Sequence, residues 1–174
     1  MNLSKLFFII SFISILFFSC NKDSSDNPSS SEIGTFYAEL DGKDFYSTNK
    51  QTVAKLETTV FGLTMSIAGH DSTNEFFSFG FTISALPEGE TIEEKTYQFS
   101  EDCTGNFCGY LTAVSSTRGI GTSLDGKGDL EITFTTVDFR KGGICKGTFS
   151  GTFTTINDGR EVNVTKGRFN VLIE

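Results

Sequence analysis

From Gly34 onward the apolar positions recur every second residue, and no stretch of eleven holds a helical period. A period of two is the repeat of a strand, whose neighbouring side chains point to opposite faces; a helix repeats every 3.6 residues. In VFGLTMSIAG, Phe61, Leu63, Met65 and Ile67 share one face, and Gly62, Thr64 and Ser66 the other. In EFFSFGFTIS the inward set is expected to be Phe77, Phe79, Phe81 and Ile83. DLEITFTTVDF places Leu130, Ile132 and Phe134 together, and CKGTFSGTFTT aligns Phe149 and Phe153.

Turn chemistry separates these runs. Asp41-Gly42, inside GTFYAELDGKDFYS, is a strong signal for a type I′ hairpin. GHDSTN, Lys141-Gly142-Gly143 and Asn157-Asp158-Gly159 are further turns, LPEGE breaks the pattern, and STRGIGTSLDGKGD reads as a Gly-rich connection. In EVNVTKGRFNVLI the apolar parity changes between Val164 and Phe169. A one-residue shift must intervene, and Lys166-Gly167 is its expected place, a bulge with Gly at positive φ. The reading is all-β: an antiparallel β-sandwich of about nine or ten strands, with a flattened β-barrel as the alternative. One apolar and one polar face per strand favours the sandwich.

The N-terminus obeys different rules. Lys5 is the only charge before Cys20, and Leu6–Phe18 is apolar except for Ser11 and Ser14. A run this short fits a secretory signal, whereas a membrane-spanning helix needs about 20 residues. LFFSC resembles the lipobox of bacterial lipoproteins, with Phe17 and Phe18 in place of the usual Leu and small residue. That resemblance implies cleavage before Cys20, acylation of its thiol and attachment to the outer membrane. Two or three acyl chains anchor stably, at about 0.8 kcal/mol per buried methylene. Residues 1–19 are thus expected to be a lipoprotein signal peptide. Residues 20–33, rich in Ser, Asn and Asp, form a flexible tether, and residues 34–174 the β-domain.

The opening GTFYAELDGKDF and the close GTFSGTFTTINDGREVNVTKGRFNVLI resemble the start and end of small Bacteroidota lipoprotein domains of unknown function. The resemblance bears on address and fold and implies no activity.

The net charge of −8 comes without a basic cluster, which disfavours nucleic acid because phosphate contacts need Lys and Arg. Three cysteines follow Cys20. Cys103 and Cys108 flank a turn-like TGNF and can form a disulfide in an exported protein; either could instead pair with Cys145, or none pair. Cys145 shares parity with Phe149 and Phe153 and also reads as a buried small hydrophobe.

Residues for chemistry are sparse. The single histidine, His70, stands beside Asp71 and Ser72, but three consecutive residues are not a triad. Glu93-Glu94 and Glu101-Asp102 point to opposite faces of a strand and do not flank a cleft. Asp125, Asp129 and Glu131 lie close together, but Lys127 occupies a ligand position of the calcium-loop pattern. No metal, cofactor or enzymatic role is expected. The leading reading is a non-catalytic envelope domain for binding or structural work at the outer membrane, with an envelope protein or a glycan as the candidate partner. The alternative is a carrier of a small hydrophobic ligand in a cavity lined by Phe77, Phe79, Phe81 and Phe134. Trp, the best sugar platform, is absent, so Tyr37, Tyr46, Tyr97 and Tyr110 are the candidates for that role.

Overall fold

The computed structural model describes residues 32–48, 50–59, 62–86, 91–99, 107–124 and 127–174. Among them are eleven strands and no helix: β1 (Thr35–Leu40), β2 (Lys43–Ser47), β3 (Val53–Thr59), β4 (Gly62–His70), β5 (Phe76–Leu86), β6 (Thr96–Phe99), β7 (Cys108–Ser115), β8 (Gly119–Thr122), β9 (Asp129–Val137), β10 (Ile144–Thr155) and β11 (Glu161–Leu172). The signal and most of the tether, with Cys20, lie outside the described residues, as do Phe61, residues 87–90 of LPEGE, Cys103, Glu101-Asp102 and Asp125.

The strands form one antiparallel sheet in the order β2-β1-β11-β10-β8-β7-β5-β4-β3, with β9 on β10 and β6 on β9. The sheet forks at β10, which pairs with β9 over Cys145–Thr152 and passes to β8 at Thr154 and Thr155. It curls there into a half-barrel. One half is β6-β9-β10-β11-β1-β2 and the other is β8-β7-β5-β4-β3, their apolar faces turned toward each other. The far side is held without a ladder between β2 and β4. The His70 N–H donates to Ser47 Oγ (3.1 Å) and the Tyr46 N–H to Asp71 Oδ2 (3.3 Å). At the chain's end the Glu174 N–H donates to the Ala54 carbonyl (2.9 Å).

Phenylalanine rings fill the space between the halves. Phe36 of β1 stacks on Phe149 of β10 (5.1 Å between centroids) and meets Phe79 of β5 edge-on (5.9 Å). Phe81 of β5 lies 5.3 Å from both Phe149 and Phe169. Such pairs contribute about 0.5–1.5 kcal/mol each beyond the area they bury. The abundance of glycine has a packing role beside them. Gly121, Gly147 and Gly167 lie directly against the rings of Phe153, Phe169 and Phe149, where a Cβ would collide.

Asp41 (φ 51°) and Gly42 (φ 76°) both sit in the left-handed region, as a type I′ turn requires, and β1 pairs with β2 from Leu40↔Lys43 onward. The antiparallel all-β expectation holds, with β3 and β8 making eleven strands where about nine or ten were expected. Three details need correction. First, β8 lies inside the stretch read as a connection. Second, Phe77 does not point inward. It is the extra residue of a bulge in β5, so Phe76 is buried instead. Third, the β11 bulge falls at Lys166-Gly167 as expected, but Lys166 carries the positive φ (53°). Gly167 is needed because a Cβ there would stand 2.3 Å from the Phe149 carbonyl oxygen.

Candidate functional site

The outward face of the β6-β9-β10-β11-β1-β2 half carries a polar row in strict register. Thr96 faces Thr133, Thr133 faces Thr148, Thr148 faces Arg168, Arg168 faces Tyr37 and Tyr37 faces Tyr46. Directly paired residues in an antiparallel sheet share a face with Cβ atoms about 5 Å apart, so the row is continuous across six strands. Arg168 lays its guanidinium over the Tyr37 ring, 4.3 Å from the centroid. Beneath it the Tyr37 phenol donates to Asp44 Oδ1 (2.7 Å) and Glu39 Oε1 (3.3 Å). Burial first, and then the Asp44 and Glu39 carboxylates, push this phenol well above its ordinary range. Lys166, lifted outward by the bulge, pairs with Glu39 at 2.7 Å and holds that carboxyl below its usual range.

Two open depressions meet in this row. One, of about 360 Å³, extends over Ser150 and Lys166; the other, of about 200 Å³, extends over Thr135, Lys146 and Asn170. They share Thr148 and Arg168. Beyond the first, a third depression of about 200 Å³ continues past Glu131 to Gln98. The result is a shallow groove running along β9, β10 and β11, lined by hydroxyls, three cations and Glu131. Glu131 is oriented by Gln98, whose Nε2 donates to it at 2.9 Å.

The residues singled out from the sequence do not converge here. His70 is exposed, with its ring 5.7 Å from Phe77. Asp71 is committed to its turn. Burial acts to raise its pKa, but hydrogen bonds from the Thr73 hydroxyl (2.6 Å) and from backbone N–H groups prevail and leave it lowered. Thr152 donates to Asp129 (2.8 Å), so Asp129 and Glu131 each engage a neighbouring strand. Cys145 is buried, free and protonated, its pKa raised to about 11 chiefly by burial; it does not bridge to Cys103 or Cys108. Cys108 opens β7 with its sulfur 3.2 Å from Ser84 Oγ. Tyr37 is too buried beneath Arg168 to serve as a sugar platform, and Lys95 lies over Tyr97 (5.1 Å).

Phe79, Phe81 and Phe134, the expected cavity lining, are buried in ring contacts, while Phe77 lies outside the core. The Arg168 groove went unseen in the sequence. Lys146 of β10 precedes Lys166 and Arg168 of β11 by about twenty residues, and only the β10–β11 register brings them together. The groove's one legible signal is the outward parity of Lys146, Thr148 and Ser150. No protein-family model matches the chain, and no curated protein or solved structure matches it either.

Proposed function

We propose that this chain is a non-catalytic lipoprotein of the bacterial cell envelope. Cys20 carries the lipid, residues 20–33 are the tether, and the outward face around Arg168 is the binding surface. The observation that carries the reading is the apolar run of Leu6–Phe18 ending at Ser19-Cys20, followed at once by polar chain. The likeness of the chain's two ends to Bacteroidota lipoprotein domains supports the same address. The membrane is then one partner, through the acyl chains, and an envelope protein or glycan the other. Nucleic acid is disfavoured by the acidic body.

A hydrophobic-ligand carrier needs room behind its apolar faces. The ring contacts that join Phe36, Phe79, Phe81, Phe149 and Phe169 occupy that space, which supports surface binding instead. A disulfide between Cys103 and Cys108 belongs to this proposal. It is supported by the free state of Cys145 and the oxidising compartment an exported chain meets.

Intact-mass measurement of the native product tests the reading. A mature chain starting at Cys20 with two or three acyl groups is the expected result, and Cys20→Ala is expected to release the protein into the soluble fraction. An unmodified Cys20 in the native product would overturn it.

A further inference from the structure

We propose that the groove through Thr148 and Arg168 binds an acidic oligosaccharide, a chain of hydroxyl-rich units with carboxylates spaced along it. The inference deepens the binding-surface reading and rests on it for the role of this face.

Charge points to an anionic ligand. The chain carries 22 acidic and 14 basic residues, yet Lys146, Lys166 and Arg168 come together on one face of two neighbouring strands. Lys146 lines one end of the groove and Lys166, whose ammonium is paired with Glu39 at 2.7 Å, the other, with Arg168 between them in both depressions. Two residues along a strand span about 7 Å, so the cations are spread along the groove rather than focused on one point. That spacing suits charges distributed along a chain better than a single phosphate.

The hydroxyls and Glu131 narrow the class to carbohydrate. Thr148 and Ser150 stand between the cations, and among the described residues their hydroxyls are committed to no hydrogen bond. A hydroxyl both donates and accepts, which matches a sugar ring. Glu131 would repel a simple anion, but it accepts hydrogen bonds from sugar hydroxyls, and Gln98 already orients it. A dense polyanion such as nucleic acid would meet the repulsion of the acidic body and lacks stacking surfaces here, because Arg168 covers Tyr37. An acidic peptide is disfavoured for a different reason. The groove lies on a sheet face, where backbone groups are already paired, so a peptide cannot add itself as a strand.

The test uses the full chain in detergent micelles, titrated calorimetrically with trigalacturonate, with its fully methyl-esterified trimer and with a hexaglutamate peptide. Saturable binding of trigalacturonate is expected, with about tenfold weaker binding of the ester and loss of affinity as salt rises. Lys146→Gln and Thr148→Val should each weaken binding about three- to tenfold with an unchanged thermal midpoint, whereas Lys55→Gln on β3 should leave affinity unaltered. No saturable binding at millimolar trigalacturonate would overturn the proposal. So would equal affinity for the ester, indifference to both groove variants, or peptide binding at least as tight as that of the sugar. None of these outcomes depends on acylation of Cys20, so the lipoprotein reading and the ligand class can fail separately.

Discussion

Gly167 shows how much of this fold is decided at single positions. Its neighbour Lys166 takes the left-handed conformation, and Gly167 itself lies under the Phe149 ring with no room for a methyl group. Gly167→Ala must therefore displace backbone or a core ring, at a cost of about 2–3 kcal/mol. A fall in the urea midpoint at constant slope would show this, and an unchanged midpoint would refute the packing argument. Cys145 gives a second residue-scale expectation. Its thiol is fully buried, with a pKa near 11, so alkylation at pH 8 should be slow in the native protein and fast in urea. Peptide mass spectrometry can follow that site alone. Both residues were partly legible beforehand: parity placed Cys145 inward, and the change of parity in β11 placed the bulge. The residue taking positive φ was not legible, because Gly is the default for that conformation and only the close approach of the Phe149 carbonyl and ring explains why Gly stands next door.

At the scale of elements, the turn residues proved the firmest guides. The β1–β2 hairpin depends on positive φ at both central positions, and Gly42 has open space around it, so conformation alone limits substitution there. Gly42→Ala should cost about 1–2 kcal/mol and Gly42→Asn less, since Asn tolerates the left-handed region. Thermal melts of the two variants would rank them, and a reversed order would argue against the I′ turn. Strands with large inward residues were visible from alternation. β3 was harder, because Lys55 and Glu57 face outward on an edge strand, where charge guards against unwanted pairing. β8 is four residues with two glycines and an exposed Ile120, and its place comes from pairing with β7 and β10 rather than from its own composition. The Phe77 bulge was hidden by three consecutive aromatic or small residues that permit either register. The binding groove was hidden for a similar reason: alternation tells which face a residue takes, but not which strands become neighbours.

The whole molecule depends on two closures. At one, a network of Arg118 with Glu75 and Asp158, and of Arg160 with Asp41 and Glu75, ties four turns together at a partly exposed surface. Pairs this exposed contribute little each and weaken with salt. At the other, Asp71 joins the β4–β5 turn to β2 by accepting the Tyr46 N–H while holding its own turn through Thr73. The ionised form makes these bonds, and they hold its folded pKa below that of the unfolded chain. Stability from this group is therefore fully present above the unfolded carboxylate value near 3.9, and it is lost as pH falls through the lower, folded value. Asp71→Asn keeps one acceptor but loses the charge, so at neutral pH it should cost about 1–2 kcal/mol after allowance for solvent. The gap between the two proteins should narrow as the pH falls below about 3.9 and through the lower, folded value, because Asp71 is then progressively protonated in both states. Urea titrations at pH 7 and pH 2 measure both differences. A gap that persists undiminished at pH 2 would mean that Asp71 acts through shape alone, and that the curled sheet is closed by packing between its halves rather than by this carboxylate.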